Sequence, residues 1–127
     1  MNSILYVALG GALGASARYS LSLFISKFYV SDYPLGTITA NILGSFFMGI
    51  LVGWLSSKVN DVSNLMLFLG VGLLGGFTTF SAFSLEAFTM YEKKDYGLLI
   101  SYISSSVLFS LVALIIGLIL ARKVLGT

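Results

Sequence analysis

Cysteine and histidine are both missing from this chain of 127 residues. Their absence removes disulfide frameworks, thiolate nucleophiles, zinc sites with nitrogen and sulfur ligands, and histidine acid–base chemistry. Charge is nearly as scarce: Asp, Glu, Lys and Arg make up 9% of the residues, against roughly 25% in soluble domains. Seven basic and five acidic residues leave a net charge of +2, too small and too scattered for a nucleic-acid footprint. Hydrophobic residues account for 57% of the chain and the mean hydropathy is +1.00. Too few polar groups remain to coat a water-soluble globule, which excludes a soluble catalytic domain. What is left is a single membrane domain over residues 1–127, whose function must come from polar residues placed inside it.

Residues 33–57, 62–85 and 96–121 contain no charged side chain. Each exceeds the roughly 20 apolar residues that cross a hydrocarbon core about 30 Å thick. The segment from Ile4 to about Phe28 is also apolar, with Arg18 in its second half and Lys27 at its end. This pattern predicts an all-α membrane protein with four transmembrane helices, about 4–28, 35–55, 65–88 and 97–121. Short connections are expected at Ser31–Pro34, Ser56–Asn64 and Tyr91–Tyr96. Ala15-Ser16-Ala17 has the small-x-small pattern of a signal-peptide cleavage site, but Met1-Asn2-Ser3 offers no basic stretch before the apolar run. The first segment is therefore expected to stay as a helix.

With four spans, Lys58, Arg122 and Lys123 fall on one face of the membrane and Lys27, Lys93 and Lys94 on the other. Orientation follows the excess of Lys and Arg, and this chain has none. Such a protein is expected to insert both ways and to pair antiparallel with a second copy. Gly10/Gly14, Gly49/Gly53 and Gly72/Gly76 repeat at four-residue spacing, which lets helix backbones approach closely in lipid. These are read as packing residues, and four such crowded helices enclose little space without a partner.

Polar groups at membrane depth are costly and mark candidate functional positions. Arg18 would lie about 21 Å along the first helix at 1.5 Å per residue, either snorkelling to a surface or holding a positive charge in a water-filled vestibule. Thr37, Asn41 and Ser45 form a polar line on one face of the second helix; the amide of Asn41 carries two donors and an acceptor, for an ion or for a neighbouring helix. Tyr102, Ser106 and Ser110 repeat that spacing on the fourth, although serines in membrane helices also bond their own i−4 carbonyls. The third helix contains Gly75-Gly76-Phe77-Thr78-Thr79-Phe80-Ser81-Ala82-Phe83-Ser84, poor material for an unbroken lipid-facing helix. Non-helical backbone at that depth survives only where protein buries it or a cavity borders it. A break would free carbonyl oxygens for a cation. Phe80 and Phe83, at i and i+3, could turn positive ring edges toward an anion or simply pack. No carboxylate lies mid-span; Glu86 stands near the end of the third. The inventory is rich in donors and suits an anion pathway.

These motifs resemble the Fluc (CrcB) fluoride channel family over most of the chain. Gly10 through Tyr19 resembles its first-helix signature, Gly36 through Asn41 its second, and Gly75 through Ser84 followed by Glu86 its third. The fourth helix matches only through its hydroxyl spacing. The resemblance implies an antiparallel, dual-topology homodimer with two pores, each lined by both subunits. It implies passive, fluoride-selective export across a bacterial inner or plasma membrane, with fluoride resistance as the result. By position, Phe80 and Phe83 resemble the family's phenylalanine box, and Asn41 a pore amide. Tyr102, Ser106 and Ser110 resemble the polar track, with Thr79 a further pore hydroxyl and Arg18 in the vestibule. Main-chain carbonyls of Gly75 and Thr78 would hold a structural Na⁺ at the dimer interface. Ala82 departs from the Thr or Ser often found there, removing one hydroxyl between the two rings. Fluoride is small and strongly hydrated, so its selection needs hydrogen bonds that replace water in a narrow passage. Two other readings stand beside this one. A small dual-topology multidrug transporter would need a membrane-embedded glutamate in the first helix, and none is present. A non-transporting assembly subunit would use these residues only to pack helices.

Overall fold

The side chain of Asn2 accepts a hydrogen bond from the Ile4 amide at 3.1 Å, satisfying one of the donors that a helix start leaves free. Helix α1 (Ser3–Phe28) follows. Helix α2 (Leu35–Leu55) begins directly after Pro34. A helical stretch over residues 63–77, α3, ends at Thr78, and α4 (Ser81–Glu92) resumes the same course. Asp95 caps α5 (Tyr96–Leu125) by accepting from the Leu98 amide at 3.2 Å. Gly126 closes α5 in the left-handed region at φ 69°, where glycine carries no steric cost. This computed structural model describes residues 2–58 and 63–126; part of the expected Ser56–Asn64 connection, residues 59–62, lies outside the described residues.

The interruption between α3 and α4 is shorter than the motif suggested and sits further along the chain. Gly75 and Gly76 remain helical, and the chain leaves the helix at Thr78, whose φ of −84° and ψ of 158° are extended. Thr78 turns its own amide and hydroxyl back onto the Leu74 carbonyl, both at 3.0 Å. Thr79 then starts α4, its hydroxyl accepting from the Ala82 amide at 3.1 Å. Upstream, Met66–Leu74 is wound as a π-helix, which the sequence pattern did not announce. The Gly75 amide reaches back five residues to the Gly70 carbonyl as well as three to Gly72.

Glycines decide which helices touch. The space that a Cβ on Gly10 or Gly14 would need is taken by main-chain atoms of α3, with the Leu73 amide at 2.9 Å and the Phe77 amide at 2.8 Å respectively. Gly72 and Gly76 return the contact against Gly10 and Gly11. Facing positions advance together, so α1 and α3 run parallel at backbone contact. The same holds for α2 and α5, where Gly49 lies between Leu114 and Leu118 and Gly53 meets Ala121 and Leu118. Backbones this close gain dispersion contacts that a bilayer does not otherwise supply.

Two buried clusters flank the break. Ile38, Phe83, Ala87, Met90 and Tyr102 gather on one side, and Leu51, Leu55 and Leu74 on the other. Much of the remaining apolar surface faces outward: Ile100, Leu108, Phe109, Ile119 and Val124 are exposed along α5 alone. Among the described residues, three helical stretches are long and apolar enough to cross a membrane: Leu35–Leu55, Ser63–Glu92 and Tyr96–Leu125. The 26 residues of α1 have the length, but Arg18, Lys27 and several serines make it less apolar.

The close approach of α2 and α5 makes a direct test. Gly49→Ala places a methyl group against the Leu114 carbonyl, a main-chain atom that moves only if the helices separate. The expected cost is about 1–3 kcal/mol, read as a lowered unfolding temperature in detergent. Gly97→Ala, which meets nothing within 4 Å, should leave stability unchanged or raise it by about 1 kcal/mol through helix propensity.

Candidate functional site

Breaking a helix inside an apolar layer strands main-chain polar groups, and Asn41 of α2 takes up two of them. Its Oδ1 accepts from the Thr79 amide at 2.7 Å, and its Nδ2 donates to the Thr79 carbonyl at 3.0 Å. One amide thus replaces both strand-like and helix-like partners of a single residue at the break. Gly44, one turn further along α2, leaves room for the Thr78 methyl, so α2 lies flush against the interruption.

A cavity of about 320 Å³ opens beside this clamp. Asn41 and Ser45 of α2 border it on one side. The break contributes Thr78, Thr79, Phe80 and, from the first turn of α4, Phe83. Helix α5 closes it with Ser106, Val107, Ser110 and Leu111. The hydroxyl oxygens of Ser106 and Ser110 are buried and have no hydrogen-bond partner among the described residues. No charged side chain borders the cavity. The rings of Phe80 and Phe83 stand with centroids 5.5 Å apart and planes tilted by 47°. Phe83 is 8% exposed, whereas Phe80 is 77% exposed in the single chain. Thr79 borders the cavity too, but its hydroxyl is already engaged in capping α4.

Tyr102 does not join this cavity. It is fully buried and donates its hydroxyl to Glu86 Oε2 at 2.6 Å. Thr37 donates to the other oxygen, Oε1, at 2.8 Å. The Tyr102 ring lies 5.2 Å from Phe83 and takes the edge of Tyr33 at 5.5 Å and 89°. Sequence spacing put Tyr102, Ser106 and Ser110 in one line, and the structure divides that line: the two serines face the cavity and the tyrosine faces Glu86. Likewise Thr37 parts from Asn41 and Ser45. The carboxylate that organises this second cluster is one that sequence spacing left without a partner, and its neighbours come from α2 and α5, distant in the chain.

Arg18 also finds a specific place. Its Nε donates to the Gly76 carbonyl at 3.3 Å, so the side chain reaches the end of α3. A cation there also meets the negative end of the helix dipole.

Residues 5–118 match the family described as CrcB-like protein, Camphor Resistance (CrcB). The chain belongs to the CrcB family. It is 46% identical over 125 residues to the fluoride-specific ion channel FluC of Caulobacter vibrioides, covering 98% of each chain. To the protein of the same name from Cereibacter sphaeroides it is 48% identical over 122 residues, 96% of each. With that from Agrobacterium fabrum it shares 41% over 123 residues, 97% of this chain and 98% of the relative.

For a CrcB protein the pattern of main-chain carbonyls at the break is informative. Those of Gly76 and Thr79 are occupied by Arg18 and Asn41. Among the described residues, no hydrogen bond reaches the carbonyl of Gly75 or of Thr78. Carbonyl oxygens released by an unwound membrane helix are the ligand type that suits Na⁺, so the donor set fits that ion.

The clamp on Thr79 predicts the behaviour of Asn41 variants. Asn41→Ala leaves an amide and a carbonyl without partners, each worth about 1–3 kcal/mol when buried. Chemical unfolding of the detergent-solubilised protein should show a loss of about 2–4 kcal/mol on that basis. Asn41→Asp keeps the acceptor for the Thr79 amide but sets an oxygen against the Thr79 carbonyl, and should be no better. Wild-type stability in Asn41→Ala would show that the clamp does not hold the break.

Proposed function

We propose that this chain is a fluoride-selective passive ion channel. It is no enzyme; its relatives are named as ion channels. The observation that carries the reading is the pair of buried, unpartnered hydroxyls of Ser106 and Ser110 in a cavity shared with Asn41, Phe80 and Phe83. A buried hydroxyl without a partner is costly, and a small anion that accepts its proton removes the cost. Neutral donors suit a permeating ion better than fixed cations, because binding must be weak enough for the ion to leave. Fluoride gives up tightly held water on entry, and the hydroxyls, the free second N–H of Asn41 and the positive ring edges of the phenylalanines replace it. Chloride is larger and is turned away by width.

The channel is an antiparallel homodimer of four-span subunits in the bacterial inner membrane, with each subunit able to insert either way. Supporting the fourth span, α1 lies parallel to α3 at backbone contact over several turns, so the two run through the same layer. Supporting the dimer, Phe80 is largely uncovered in one chain, and the basic residues of the two ends balance. Gly75 and Thr78 would hold a structural Na⁺ through their main-chain oxygens at the subunit interface, where the ion supplies positive charge beside two released carbonyls. Arg18 fixes the Gly76 carbonyl between them. Net export of fluoride down its gradient would confer resistance to it.

Liposomes containing the purified protein should release fluoride rapidly and retain chloride. Equal release of the two ions, or none of either, would remove the channel reading. Phe80→Ile should slow fluoride release while the protein stays folded; a pure packing role predicts altered stability and unaltered flux.

Orientation gives a separate test. Two lysines added to the Ser56–Asn64 connection should drive insertion one way and lower fluoride transport, because antiparallel partners become rare. Full activity from protein labelled on one face only would rule out antiparallel pairing.

A further inference from the structure

Ser45 borders the same cavity beside Asn41, yet neither the clamp on the break nor the Phe80–Phe83 pair uses its hydroxyl. Several hydroxyls within these helices are consumed locally: Ser20, Ser26, Ser84, Thr89 and Ser105 each donate to a carbonyl three or four residues back. Such bonds are the default for serine and threonine in membrane helices. Ser45 makes no such bond, and no described residue partners its hydroxyl. Ser106 and Ser110 also lack partners among the described residues, with their oxygens fully buried, whereas Ser45 is half-buried.

Helix register says what Ser45 faces. Gly49 lies between Leu114 and Leu118 of the parallel helix α5, and Gly117 in turn lies between Phe46 and Ile50 of α2. One turn back along both helices sets Ser45 against the turn from Ser110 to Leu114, and two turns back sets Asn41 against the turn from Ser106 to Ser110. All four border one cavity. A further turn back sets Thr37 against the turn from Tyr102 to Ser106, and Thr37 and Tyr102 each donate to Glu86.

Resting on the channel reading above, we infer that Ser45 is an anion-coordinating residue of the pathway, donating its hydroxyl to the ion at the level of Ser110 from the opposite wall. The pathway then has two rungs. Asn41 and Ser106 form one, and Ser45 and Ser110 form the next, about 6 Å along at 1.5 Å per residue. An ion leaving the first rung meets two donors instead of one, so no step strands it against an apolar wall of α2.

Threonine and valine have nearly the same shape and differ by the hydroxyl, so Ser45→Thr and Ser45→Val cancel the packing contribution. Fluoride efflux from liposomes is measured for the full-length dimeric protein in both variants, alongside wild type. Ser45→Val should be about tenfold slower than Ser45→Thr, the order expected for one hydrogen bond to an ion. Ser45→Ala, which removes the hydroxyl and adds no bulk, should be slowed to a similar degree relative to wild type, with chloride still excluded. Equal rates for the Thr and Val variants, or a wild-type rate for Ser45→Ala, would overturn the assignment while leaving the channel intact. A wild-type protein that carries no fluoride would overturn the channel reading and this inference with it.

Discussion

The two hydrogen bonds between Asn41 and Thr79, at 2.7 and 3.0 Å, are what allow the rest of the structure to exist. In lipid, backbone polar groups have no solvent to fall back on, so an interrupted helix must find every lost partner within the protein. A single carboxamide offers donor and acceptor together in the spacing of a peptide group. Asn41 therefore behaves as a piece of backbone lent by α2 to the break. Thr79 caps α4 at the same point, and Thr78 folds its hydroxyl onto Leu74. Without these substitutes the main-chain groups freed at the break would be left without partners.

Holding Asn41 against Thr79 requires α2 to lie close to the break, and glycine meets that requirement in turn. Gly44 admits the Thr78 methyl, while Gly49 and Gly53 draw α5 in on the other flank. The π-winding of Met66–Leu74 belongs to the same adjustment. Inserting a wider turn before Gly75 changes the angle at which the helix delivers Thr78, at the expense of weaker hydrogen-bond geometry, a trade often found beside functional sites. Gly10 and Gly14 accept that widened helix against α1.

Much of this was legible in the residues, and what was not has physical reasons. The glycine pairs announced themselves by spacing because a missing Cβ serves one purpose at such positions, and they meet the helices they allow to approach. The break was also visible, since Thr, Thr and Ser after a glycine pair leave few helical alternatives. Its position was not: glycine permits departure from a helix but does not force it, and Gly75 and Gly76 stay helical, with α1 packed against Gly76. The hydroxyl lines failed in a different way. Period alone puts Tyr102, Ser106 and Ser110 on one face, but a face is broad, and a carboxylate from another helix claims whichever hydroxyl it meets first. Glu86 claimed Tyr102 and Thr37. No pattern within either helix records that event.

The polar groups of this chain thereby separate into those already spoken for and those that are not. Arg18, Asn41, Thr79, Thr37 and Tyr102 are each bonded to protein. Bonded groups set shape: they hold the break, cap its ends and fasten a carboxylate outside the cavity. Ser106 and Ser110 are buried without a partner among the described residues, and Ser45 shares their space. Donors left open in an apolar surround cost free energy in the folded state, so their retention calls for an acceptor that arrives from outside. That acceptor must be small, because the helices bearing these donors are held at glycine contact distance. It must also be released again, and neutral hydroxyls bind less tightly than the arginine that the fold keeps occupied on a carbonyl. The same scarcity of charge that made the chain fit for lipid therefore shapes what passes through it.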